Sequence, residues 1–65
     1  MSLKRTIVEV LYSGRDKYEV VRVTDTSFLG TTDFYVLRNG HQVAGRYSDL
    51  RDAIAWAKRQ GATFR

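Results

Sequence analysis

The side chains of this sequence best equipped to recognise something are cations interleaved with tyrosines. Lys4, Arg5, Arg15, Lys17, Arg22, Arg38 and Arg46 can each reach a phosphate, and Tyr18 and Tyr35 offer rings on which an unpaired base can stack. Arg5, Arg15, Lys17, Tyr18, Arg22, Tyr35, Arg38 and Arg46 are therefore the candidate nucleic-acid-binding residues. The chain carries 11 Lys and Arg against 7 Asp and Glu, a formal charge of +4. Its isoelectric point near 9.9 favours polyanions as partners. The cations are spread along the chain and not gathered in one block. Each Tyr is also a residue that a half-buried strand position takes.

Catalytic spacing is missing. The sequence has no HExxH, no nucleophile elbow, no phosphate-cradling glycine loop and no paired histidines. His41 stands alone beside a tight turn. Asp49 and Asp52 share one helix face, where capping and the helix dipole already account for them. Without Cys there is neither a disulfide nor a thiolate metal site, and a single His cannot supply a histidine cluster. The expectation is a non-enzymatic domain with no cofactor and no metal, suited to a reducing cytoplasm. No apolar run approaches the ~20 residues of a membrane span, so no membrane partner is expected.

The elements that must position these side chains read clearly in the second half. Residues 33–61 form a β-hairpin closed by Asn39-Gly40 and feeding directly into an amphipathic helix. Both turn residues accept positive φ, as a type I′ turn requires. This turn pairs Arg38 with His41, Leu37 with Gln42, Val36 with Val43 and Phe34 with Gly45. Ser48 is the expected N-cap, Gly61 the left-handed stop, and Leu50, Ala53, Ile54 and Ala57 the buried stripe. Trp56 falls at the stripe's edge, and Phe64 is expected to fold back beyond the stop.

The first half contains two β-rich runs, Arg5 to Tyr12 and Lys17 to Thr24, joined through Gly14-Arg15. A two-residue type II′ loop sets Tyr12 opposite Lys17, Val10 opposite Glu19 and Val8 opposite Val21. The polar stretch from Asp25 to Thr32, interrupted by Phe28 and Leu29, links the two hairpins. These apolar loop residues suit either a lid on the core or an exposed contact. The whole chain, residues 1–65, is thus one small basic α+β domain. Its fold class is a four-stranded antiparallel meander (ββββα) with one C-terminal helix packed on one face.

One helix covers one side of a sheet. The expected open side carries Ile7, Leu11, Tyr18, Val20, Tyr35, Leu37 and Ala44, with Glu9, Arg22, Asp33, Gln42 and Arg46 among them. That face is too apolar for water alone, which implies a partner: a homodimer through the open face, or another protein. In outline, the ββββα order resembles the single-strand-binding transcriptional coactivator family, whose small subunits dimerise through the helix and bind strands on a curved sheet. It is also similar to the sheet-plus-helix DNA-binding arm domains of phage integrases. The resemblance rests on element order, carries no residue over, and implies a nucleic-acid ligand. The expected function is accordingly nucleic-acid (DNA) binding through a basic, aromatic-bearing sheet face. A protein-interaction module that homodimerises is the alternative.

Overall fold

A computed structural model describes residues 3–26 and 30–64. Its elements are β1 (Leu3–Ser13), β2 (Asp16–Asp25), β3 (Thr32–Arg38), β4 (His41–Tyr47) and α1 (Leu50–Arg59). Sequence neighbours pair antiparallel throughout, giving a meander of order β1-β2-β3-β4. This is the expected ββββα arrangement. Phe28 and Leu29, expected to act as a lid or a contact point, lie outside the described residues.

Both tight turns follow their chemistry. Asn39 and Gly40 take φ of 52° and 88°, as a type I′ turn requires. Gly14 sits at 59° while Arg15 stays outside the positive region, as type II′ requires. The pairs next to each turn are the expected ones: Tyr12 with Lys17, Val10 with Glu19, Arg38 with His41, Leu37 with Gln42.

Farther from the turns, β-bulges change the register. On β1, Ile7 pairs with Val21 and Glu9 with Val20, leaving Val8 as the extra residue instead of the partner of Val21. On β4, Val36 faces Ala44 and not Val43, and Phe34 faces Tyr47 and not Gly45. Val43 and Arg46 are the extra residues. Each bulge reverses the alternation, so Ala44 and Tyr47 both turn toward the helix and pack against the core.

The helix-side core consists of Leu11, Tyr18, Val20, Val36, Ala53, Ala57 and Ala62, with Val8, Phe34, Ala44, Tyr47, Leu50, Ile54 and Trp56 packed around it. Leu11, Tyr18, Val20 and Ala44 are therefore not on the open face, as the sequence reading had placed them. The reason lies in the β2–β3 pairing, where Tyr18 sits opposite Arg38 and Val20 opposite Val36. The sequence reading had aligned Tyr18 and Val20 with the Tyr35-Leu37 face. A one-residue change of phase between the hairpins takes Leu11, Tyr18 and Val20 to the helix side, while the β1 bulge at Val8 keeps Ile7 and the residues before it on the open side.

The helix starts one residue later than expected, so Asp49 replaces Ser48 as N-cap. Asp49 is extended (φ −126°, ψ 131°), and its Oδ1 accepts from the Arg51 N–H at 2.9 Å. At the other end, the Gly61 N–H donates to Lys58 O at 2.9 Å and the Ala62 N–H to Ala57 O at 3.2 Å. These two bonds form a Schellman motif, with Gly61 at φ 86° and Ala62 buried. The chain then crosses to β1, where Thr63 and Tyr12 exchange backbone bonds of 2.8 and 2.9 Å. Phe64 folds back onto the helix, with Lys58 Nζ 5.3 Å from its ring centroid.

Candidate interaction face of the sheet

On the side away from α1, the pairings arrange side chains in rows across the strands. One row runs Arg5–Val23–Asp33, the next Ile7–Val21–Tyr35–Gly45, and a third Val10–Glu19–Leu37–Gln42. Leu3 lies beyond the first row, and Tyr12 with Lys17 beyond the third. Ile7, Tyr35, Leu37, Asp33 and Gln42 are on this face as expected. Val10, Val21 and Val23 join them through the first hairpin's change of phase, and Leu3 and Arg5 by alternation with Ile7. Leu3, Arg5, Val21, Val23, Tyr35 and Leu37 line a shallow groove of about 410 Å³.

The central row is the best packed. Val21 is 7% exposed although no helix covers it. Tyr35 lies over Gly45: a Cβ on Gly45 would come within 2.5 Å of Tyr35 Cδ1. Gly45 takes φ 134°, a conformation that side-chain-bearing residues rarely adopt. A bulge glycine thus makes the bed for the one aromatic ring at the centre of the open face.

Toward the β1 end the apolar surface is uncovered, with Leu3 66% and Ile7 55% exposed. The helix side of the same arm is polar: Lys4, Thr6, Arg22, Thr24 and Thr32 by strand alternation. In β2 the apolar positions change sides midway, from Tyr18 and Val20 under the helix to Val21 and Val23 opposite it. The arm's apolar side therefore faces away from the molecule's own core.

The candidate nucleic-acid residues do not converge on this face. Arg5, Lys17 and Tyr35 occupy it. Tyr18 does not: its ring is 4% exposed, with Trp56 at a centroid separation of 6.3 Å, so no base can stack on it. Arg22 and Arg38 lie on the helix side by register, and Arg15 sits in the first turn. Arg46 is in a β4 bulge, where its Nε lies 3.9 Å from Asp33 Oδ1 in an exposed pair. Glu9, placed on the open face by sequence, pairs with core-facing Val20 and shares its side. Glu19, Asp33 and Asp25 offset the cations that remain on the open face.

One connection between the turns was not foreseen. Asn39 Oδ1 accepts from the Lys17 N–H at 2.9 Å, its Nδ2 donates to Asp16 Oδ1 at 2.9 Å, and its own N–H donates to Lys17 O at 2.8 Å. This clasp locks the phase between the hairpins that decides the content of the open face. Sequence signals an Asn-Gly turn, but not the side-chain partner of a turn Asn more than 20 residues away.

Among the described residues, no group of three or more His, Cys, Asp or Glu side chains is placed to hold a metal ion. No helix among them is long and apolar enough to cross a membrane. No protein-family model matches the chain, and neither a curated protein nor a solved structure matches it.

Proposed function

We propose that this chain is a small non-enzymatic binding domain whose working surface is the open sheet face, and that the face takes a protein partner. The observation that carries this reading is the uncovered apolar arm: Leu3 and Ile7 are more than half exposed beside Val21, Val23 and Tyr35. A sheet face exposed to water is ordinarily polar. Contiguous exposed apolar surface ordinarily marks a contact. On this side Arg5, Lys17 and Arg46 are balanced by Glu19, Asp25 and Asp33, a pattern that suits a mixed protein surface better than a uniformly anionic polymer. The test is Ile7→Asp, which places a charge at an exposed site and leaves the core intact. It should abolish association while the far-UV circular dichroism is unchanged; association that survives it removes this face from consideration.

Nucleic-acid binding is the second reading, favoured by one observation: Arg5 and Tyr35 line the same groove. A cation and a ring lining one groove can hold a phosphate and stack a base. Titrating labelled single- and double-stranded oligonucleotides at two salt concentrations tests it. Binding that weakens steeply with salt and is lost in Arg5→Ala and Tyr35→Ala supports this reading, and no binding at low ionic strength ends it.

A further inference from the structure

The outermost row of the open face carries opposite charges at its two ends, with Asp33 also 3.9 Å from Arg46 Nε of its own chain. In its outermost full row, Arg5 on β1 and Asp33 on β3 flank Val23 on β2. Consider a second copy turned by 180° about an axis that runs along β2 between two stacked sheets. Strand β1 of each copy then lies over β3 of the other, with every row kept. Arg5 meets the partner copy's Asp33, Ile7 meets Tyr35, Val10 meets Leu37, and Val21 and Val23 meet their own counterparts. Glu19 and Lys17 each meet their own counterparts on the axis, in neighbouring rows, so that each lies next to an opposite charge of the other chain. The strand directions stay aligned, as in ordinary sheet-on-sheet packing.

Other arrangements lack this match. An axis between β2 and β3 brings Arg5 over the Arg46 side of the partner. An axis across the strands, through the central row, sets Arg5 and Asp33 against apolar residues. Edge pairing is opposed by the bulges on both outer strands, at Val8 on β1 and at Val43 and Arg46 on β4. At about 4.8 Å between strands and about 3.3 Å per residue, the face measures on the order of 500 Å² per copy. Two copies bury about 1,000 Å², the lower limit for a specific interface.

We propose that the open face is the interface of a two-fold homodimer stacked sheet on sheet along β2, with Arg5 of each copy paired to Asp33 of the other. This rests on the open-face reading above and names its partner as a second copy of the chain.

Sedimentation equilibrium of the full chain at low salt, from about 10 to about 500 μM, tests it. The wild-type chain should dimerise. Arg5→Glu makes both residues of the pair acidic, and Asp33→Lys makes both basic, so each variant alone should dissociate at least about tenfold more readily. Mixed in equal amounts, the two variants should form a heterodimer, because every Arg5–Asp33 position then again joins opposite charges. Both variants alter exposed or half-exposed side chains, and circular dichroism checks that each is folded. A wild-type chain that stays monomeric at about 500 μM overturns the dimer. A mixture that associates no better than its separate components overturns this two-fold arrangement. If Ile7→Asp still blocks wild-type association in that case, the open face stands and only the partner's orientation falls.

Discussion

Asn39 shows how much one residue carries in so small a domain. It provides positive φ for the turn and, through three bonds to Asp16 and Lys17, joins one hairpin to the other. Asn39→Gly keeps the conformation and loses the side-chain bonds, which should reduce unfolding stability by about 1 kcal/mol. Asn39→Ala loses the same bonds and, unlike the glycine variant, keeps a Cβ at positive φ without the polar side chain that makes Asn tolerant of it, and should lose about 1 kcal/mol more than Asn39→Gly. Urea midpoints should fall in the order wild type, Gly, Ala. Gly45→Ala is expected to be worse, at about 2 kcal/mol or more, because its Cβ meets the Tyr35 ring and its φ is unsuitable. A double-mutant cycle with Tyr35→Ala should recover the steric part and leave the backbone part. At Asp49, the hydrogen bond from the Arg51 N–H, aided by the Arg51 charge and opposed by slight desolvation, holds the carboxyl below its ordinary value of 3.8. A carboxyl with a lowered folded-state pKa stabilises the fold above its unfolded value and loses that contribution as pH falls through the folded value. Thermal midpoints of wild type and Asp49→Asn should therefore converge as pH is lowered below 3.8.

At the scale of elements, the second hairpin and the helix are the parts most nearly specified by local signals. Asn39-Gly40 selects its turn type, Gly61 stops the helix, and Ala53 and Ala57 let α1 lie close to the sheet with no exposed surface of their own. Ala57→Leu should lose about 1–3 kcal/mol through overpacking at that contact, read from chemical denaturation. What local signals left open was the extent of each strand's alternation. Bulges at Val8, Val43 and Arg46 interrupt it; Gly45 beside Arg46 is a sign of one, and nothing in the composition around Val8 marks another. In β2 the Val20-Val21 pair is the visible trace of a change of sides, since two adjacent apolar residues cannot both satisfy strict alternation. Read that way, it identifies Val21 and Val23 as residues that need cover from a surface other than the helix.

Across the whole molecule, the disproportion between helix and sheet is what matters. The protein extends 41 × 19 × 18 Å, and a ten-residue helix spans about 15 Å. More than half of the long axis thus has no helix over it. Among the described residues, only Leu11, Val20 and Val36 are large side chains buried completely. Leu11→Ala should therefore remove about 2–4 kcal/mol, a large share of the stability of any domain this small. If the open face completes itself with a second copy, the thermal midpoint should rise with protein concentration, and Ile7→Asp should make it concentration-independent. A wild-type midpoint that does not move between dilute and concentrated solutions speaks against that completion.

The sequence by itself determined the fold class, both tight turns, the pairs beside them, and the helix with its stop, because each depends on residues close together in the chain. It also indicated that one side of the sheet would be too apolar for water. Ile7, Asp33, Tyr35, Leu37 and Gln42 were legible as members of that side, and the tertiary structure settled the others. The polar connection between β2 and β3 encodes no register, so the phase between the hairpins is set by long-range burial and by the Asn39 clasp. That phase takes Tyr18 into the core and brings Val21 and Val23 to the open face, where the β1 bulge keeps Leu3, Arg5 and Ile7 beside them.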